Sequence, residues 1–247
     1  MSILAVYNIK GGVGKTATSV NLAYLASIQR KTLLIDMDPQ GSASYYFRIR
    51  SPEKFGTKKL LKGGKHIERN IRGTDFPNLD MLPADFSYRN IDIALDDCKK
   101  SQTRVKKILE PLEEEYEQII LDCPPNLTLL SENIFYAADQ ILVPAIPTTL
   151  SILSSEQLYA FLDEIGLGHD KVRIFFSMVE KRKRLHTEVI QSMQGKPGVL
   201  TSSIPYLTDV ERMGVYRMPV TASHPNATAS RAYQQLWDEI QDDVQAQ

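Results

Sequence analysis

Short apolar, β-branched runs alternate along the 247-residue chain with longer segments of helical period. The runs 2–8 (SILAVYN), 32–36 (TLLID), 79–83 (LDMLP), 118–122 (QIILD), 140–146 (QILVPAI), 172–178 (VRIFFSM) and 200–204 (LTSSI) predict strands. Ile119-Ile120-Leu121 is apolar at consecutive positions, as expected of a strand covered by helices on both faces. Helical patterns fill the intervals at about 15–30, 86–115 with a break at Pro111, 128–138, 153–165, 184–194 and 227–245. The alternation predicts one α/β domain over 1–247, a doubly wound, mostly parallel sheet flanked by helices. Residues 48–75 are the least regular stretch and predict an exposed loop or short helices.

The last helical pattern carries an apolar stripe at Ala229, Ala232, Tyr233, Leu236, Trp237, Ile240 and Val244. Its polar face holds Asp238, Glu239, Asp242 and Asp243, which an anionic bilayer repels, so the stripe is expected to pack on the sheet.

Composition narrows the class. Hydrophobic residues make up 43% and charged residues 24%, an ordinary globular balance. No apolar run approaches the roughly 20 residues that span a bilayer, and MSILAVYNIKGG has no signal-peptide organisation. Cys98 and Cys123 are too few for a disulfide framework and lack the spaced partners of a zinc or iron–sulfur site, which points to a reducing cytoplasm. A net charge of −1 gives no global field for nucleic acid, but residues 48–65 carry seven basic residues against one acid, and KRKR stands at 181–184.

Three segments carry chemistry. NIKGGVGKT follows the first strand and opens a helix. Gly11, Gly12 and Gly14 permit the turns that aim successive N–H groups, Val13 included, at phosphate oxygens. Lys15 is placed to neutralise the β/γ-phosphates, and the Thr16 hydroxyl to ligate Mg²⁺. The general pattern asks for glycine where Ile9 stands, and Lys10 is an extra cation beside it. In LLIDMDPQGSAS, Asp36 and Asp38 sit at a strand's C-terminal end, where open α/β sheets bind ligands, and suit positioning of water or Mg²⁺. In QIILDCPPN, Asp122 ends an apolar strand in the manner of a Walker B carboxylate on the magnesium shell.

The motifs NIKGGVGKT, LLIDMDPQGSAS and ILDCPP, followed by VPAIPTTLSILSSEQL, resemble the ParA/Soj branch of the deviant-Walker ATPases, in the superfamily that also holds MinD. The resemblance covers nearly the whole chain and implies a P-loop NTPase fold. In that family the loop reads KGGxGK[ST], so Ile9 is its normal form. Lys10 is similar to the lysine that reaches across a nucleotide-sandwich dimer, and Asp38 to the aspartate that orients the hydrolytic water. Met178, preceded by Ser177, and Pro205 and Tyr206 match segments that line the adenine in relatives. Ala17 stands where many members have a second Thr that binds the α-phosphate; its backbone N–H remains, which implies weaker binding. YLTDVERM lacks the Arg-Asn usual beyond Pro205.

The implied function is an ATP- and Mg²⁺-dependent dimerisation switch. It would bind nonspecific DNA on the nucleoid, hydrolyse ATP slowly and be stimulated by a ParB-like or adaptor partner while positioning a plasmid, chromosome or large protein body. Candidates for DNA contact are Lys181, Arg182, Lys183, Arg184, Arg212 and Arg217. The alternatives are a MinD-like membrane-cycling regulator, which the acidic last helix opposes, and a metabolic ligase or amidase of the same superfamily. The latter needs a substrate constellation that the sequence does not display.

Overall fold

The computed structural model describes residues 2–53 and 55–245, without the side chains of Val244 and Gln245, so the Val244 end of the last stripe lies outside the described residues. Eight strands form one sheet: β1 Ser2–Val6, β2 Thr32–Asp36, β3 Arg72–Gly73, β4 Leu79–Leu82, β5 Gln118–Asp122, β6 Gln140–Ala145, β7 Val172–Val179 and β8 Val199–Pro205. Their order is β3-β4-β2-β5-β1-β6-β7-β8, and only the β3–β4 pairing is antiparallel.

The helices before β5 are α1 Lys15–Ser27, α2 Ser42–Tyr46, α3 Thr57–Lys62, α4 Lys65–Glu68, α5 Ile91–Asp96 and α6 Arg104–Leu109. After β5 come α7 Leu129–Ala137, α8 Thr149–Glu164, α9 Arg184–Met193, α10 Thr208–Glu211, α11 Met213–Tyr216, α12 Val220–Ser223 and α13 Thr228–Gln245.

Strand side chains alternate between the two faces, and the core divides accordingly. Ile119 and Leu121 of β5 join Ile141 and Val143 of β6 in one cluster, closed by Leu95, Ile108, Ile134, Phe135, Leu158 and Leu162 from α5–α8. Ile120 and Leu142 face the other way, onto Val20 and Leu22 of α1 and Leu236, Trp237 and Ile240 of α13. That is why β5 reads as a continuous apolar run. The α13 stripe from Ala229 to Ile240 is buried in this second cluster.

The pattern over 86–115 resolves into short pieces rather than one helix. Asp85 caps a 3₁₀ turn at Phe86–Asn90 by accepting from Ser87 N, α5 and α6 follow, and Lys100 breaks the run with φ 58°. Pro111 lies in the first turn of a further 3₁₀ segment, Glu110–Glu114, where its missing N–H is harmless.

Chain order reverses beside β1, which lies between β5 and β6. Open α/β sheets bind ligands at such a switch point, outside the strands' C-terminal ends. The glycine-rich loop leaves β1 there.

Candidate nucleotide site

The loop between β1 and α1 is tied down by Asn8, whose buried amide donates to Pro144 O (2.8 Å) and accepts from Lys10 N (2.9 Å). Gly12 and Gly14 take φ of 72° and 90°, the left-handed region that glycine enters without strain. A Cβ at Gly11 or Gly12 would meet nothing within 4 Å, so the space beside these two glycines is open. Gly14 also caps α1 without a side-chain bond, and the helix has no acid in its first turn. Its N-terminal N–H groups therefore present partial positive charge to an anion.

Lys15 is buried, and its ammonium donates to Lys10 O at 2.9 Å. Burial pulls it below the ordinary lysine range, against the carboxylates of Asp122 and Asp38. Asp122 and Asp36 are partners in register at the ends of β5 and β2, and both are fully buried. Ser19 Oγ donates to Asp122 Oδ1 at 2.9 Å, whereas Asp122 Oδ2 is buried without a partner among the described residues. Burial raises the Asp122 carboxyl, opposed by hydrogen bonds from Ser19 and Thr16.

Asp36 is occupied differently. Its Oδ2 accepts from Ser44 N (2.8 Å) and Ser44 Oγ (2.7 Å), and its Oδ1 from Asp38 N (3.2 Å). Burial, with Asp122 alongside, lifts its carboxyl well above the ordinary range despite these bonds. Asp36 thus braces the turn that presents Asp38, rather than offering free oxygens itself. Asp38 is partly exposed, and its Oδ1 accepts from Gln40 N at 2.9 Å.

This donor set fits magnesium held largely by phosphate and water. Among the described residues no group of three or more His, Cys, Asp or Glu is arranged to hold a metal alone. Mg²⁺ in nucleotide sites takes one or two protein oxygens and keeps several waters. The Thr16 hydroxyl at the start of α1 and the Asp122 Oδ2 left without a hydrogen bond among the described residues supply that pair.

A narrow cleft runs from the loop toward the β7 and β8 ends and is lined by Gly14, Ala17, Met178, Pro205, Tyr206 and Tyr233, among others. Met178 sits at an irregularity of β7 with φ 52°, and the preceding Ser177 donates to Val13 O at 2.8 Å. The structure thereby brings Met178, Pro205 and Tyr206 to one wall beside Ala17.

The basic candidates are dispersed. Lys183 pairs with Glu180, and Arg184 with Glu188 at 2.7 Å, whereas Lys181 and Arg182 are exposed and form no ion pair among the described residues. The Arg212 guanidinium lies 5.5 Å from the Tyr216 ring centroid. Arg217 stacks 4.4 Å from the Tyr45 ring and donates to Tyr45 O at 3.1 Å.

Asn8, Ser19 and Ser44 orient the loop and the carboxylates, yet the sequence reading passed over them. Asn8 left a trace, a polar residue between an apolar strand and the glycines. Ser19 left none, because its partner Asp122 lies 103 residues away, whereas Ser44 closes the motif LLIDMDPQGSAS, eight residues from its partner Asp36.

Fold and loop together define a phosphate-loop nucleoside triphosphatase. The AAA domain family model matches residues 1–174. The chain is 30% identical over 244 residues to the chromosome-partitioning ATPase Soj of Treponema pallidum, covering 96% of each. It is 35% identical over 199 residues to the chromosome partitioning protein ParA of Myxococcus xanthus, covering 78% of this chain and 70% of that protein. In structure it is similar to a plasmid partition protein of Borrelia burgdorferi bound to AMPPNP, with TM-score 0.86, 24% identity and 98% of each chain covered. The chain belongs to the ParA/Soj family of partition ATPases.

Proposed function

We propose that the protein is an ATP-dependent dimerisation switch that binds nonspecific DNA and hydrolyses ATP slowly to position a plasmid, chromosome or large protein body. The observation that carries this reading is the state of Lys10. Its carbonyl accepts from Lys15, but its own ammonium forms no ion pair among the described residues, and burial alone shifts its pKa, downward. A cation at the rim of a phosphate site, paired with no carboxylate among the described residues, suits phosphates bound by a second subunit, as an arginine finger does.

Within one subunit, the loop N–H groups and Lys15 bind the phosphate chain, and the Met178–Pro205–Tyr206 wall receives the base. Thr16 would hold Mg²⁺ directly and Asp122 through water; when bound, the ion supplies charge neutralisation on the β- and γ-phosphates. Asp38, presented by the turn that Asp36 braces, orients the attacking water. Release follows stimulation by a ParB-like or adaptor partner, and the switch works in the cytoplasm on the nucleoid. The membrane-cycling alternative is opposed by α13, whose apolar stripe from Ala229 to Ile240 is spent on the core.

A duplex gel shift run with ATP, with ADP and without nucleotide, alongside sedimentation velocity, tests the reading. The expected result is a dimer and retained DNA with ATP alone. Equal retention in all three lanes, or none with ATP, overturns it.

A further inference from the structure

The C-terminal ends of β7 and β8 carry a second concavity, outside the base cleft and sharing Pro205 with it. It has a volume of about 330 Å³ and is lined by Val179, Lys181, Ser203, Thr228, Arg231 and Gln235, together with Pro205 and Ala232. Its ionisable lining is therefore two cations and no carboxylate. Neither Lys181 nor Arg231 forms an ion pair or a side-chain hydrogen bond among the described residues, and both are exposed.

The surroundings make this conspicuous. Lys183 and Arg184, two and three residues beyond Lys181, are each matched by a glutamate. At the opposite ends of the same strands a larger groove mixes Arg173 and Lys196 with Asp170, Glu239, Asp242 and Asp243, and Arg173 pairs with Asp243 there. Arg231 is also the one basic residue in TASRAYQQLWDEIQDDVQ, the α13 sequence, whose other charges are acidic. Two like charges facing one concavity repel, and an anion between them turns that repulsion into attraction. The hydroxyls of Ser203 and Thr228 and the Gln235 amide add neutral donors of the kind that meet phosphate oxygens. The site is open, its cations sit on flexible exposed stems, and it lies on the sheet edge that bears the phosphate loop. These features suit a phosphate on an extended polymer better than an enclosed free ion.

We propose that this concavity seats a backbone phosphate of DNA, with Lys181 and Arg231 as its cations. The assignment rests on the DNA-binding reading above and adds Arg231 as a contact residue. It also divides the KRKR run: Lys181 contributes, whereas Lys183 and Arg184 are already paired with Glu180 and Glu188.

The test is a salt titration of duplex binding by fluorescence anisotropy with ATP present. It compares wild type with Lys181→Gln, Arg231→Gln, the double variant, Arg231→Lys and a Lys183→Gln/Arg184→Gln control. Each phosphate contact contributes about 0.9 to the slope of log K against log salt. For the ATP dimer, which carries two such seats, the double variant is expected to flatten that slope by between about two and four, according to whether the cations of a seat share a phosphate, and to bind at least about tenfold more weakly near 0.15 M salt. Arg231→Lys is expected to keep most of the affinity and the control to stay within about twofold. Basal ATP turnover and melting temperature should not move in any of them.

If wild type binds DNA and the double variant has its slope and affinity, the seat is overturned while the DNA-binding reading stands. If wild type binds no DNA in any nucleotide state, that reading itself fails. Calorimetry with inorganic phosphate supplies the remaining arm. Binding lost in the double variant while its DNA affinity is unchanged would reassign the concavity to a free phosphate and overturn the backbone assignment.

Discussion

Asp36, Asp38 and Asp122 reach one corner of the sheet with three different sets of partners, and the partners separate their roles. Asp36 is saturated by Ser44 and by the Asp38 N–H, Asp122 keeps one buried oxygen free, and Asp38 alone is partly open to solvent. Asp38→Ala is therefore expected to bind ATP within about threefold of wild type but to lose turnover by about a hundredfold, the usual scale for a positioned acid–base group. Single-turnover phosphate release checks it, and normal turnover would remove Asp38 from the water-positioning role. Position 17 gives a gain rather than a loss. Ala17 lines the cleft proposed for the base, beside Gly14, with no hydroxyl to offer. Ala17→Thr adds one donor worth about 0.5–1.5 kcal/mol, so ATP should bind roughly 2–12-fold more tightly in calorimetry. Unchanged affinity would mean that the backbone N–H already suffices. Glycines, Lys15 and the three aspartates were legible in the sequence because each ends or follows an apolar strand. The division of labour among the aspartates was not, since Ser19 reaches Asp122 across 103 residues and neither hydrophobic period nor glycine spacing records the Ser44–Asp36 bonds.

Among the elements, the strands were the most legible. β2 and β5 fall on their predicted limits and the other long strands within two residues, because a buried parallel strand is an uninterrupted apolar run. β3, only Arg72–Gly73, carries no apolar signal and pairs at the sheet edge, so no pattern revealed it. The short helices α10–α12 escaped for a similar reason: Met213 and Val220 are their main anchors, too few to set a period. What holds α13 to the edge strand is also non-local. Glu239 accepts from Thr201 N (2.7 Å), Thr201 Oγ1 (2.8 Å) and Ser202 N (2.8 Å) on β8. Partial burial raises its carboxyl, but these bonds outweigh the burial and leave it below the ordinary 4.5. A carboxylate lowered by folding stabilises the fold fully above its unfolded value, and that contribution disappears as pH falls through the lower folded value. Glu239→Gln should thus cost about 1 kcal/mol at neutral pH, a modest figure because the group is partly solvated. It should also flatten the stability profile below about pH 4.5. Urea melts at pH 7 and pH 3.5 measure both, and an equal difference at the two pH values would contradict the ionic role.

At the scale of the molecule, a net charge of −1 supplies little long-range attraction to DNA, so the proposed binding would have to come from local cations and from joining subunits. Doubling the number of phosphate contacts doubles the electrostatic free energy they supply, which gives a dimer a far steeper affinity than a monomer. On the proposed reading Lys10 is the residue on which that doubling depends, because its ammonium forms no ion pair among the described residues. Lys10→Ala is expected to keep the fold and monomeric ATP binding while losing the ATP-dependent dimer in sedimentation velocity. A single variant does not reveal whether Lys10 serves its own phosphates or a partner's. Mixing does. A Lys10→Ala subunit retains Asp38, and an Asp38→Ala subunit retains Lys10. A heterodimer of the two contains one complete site only if the lysine crosses the interface. Equal mixtures should then hydrolyse ATP faster than the sum of the separate variants, with a maximum near a one-to-one ratio. If Lys10 acts within its own chain, every site in the mixture lacks one group, and turnover stays additive at all ratios.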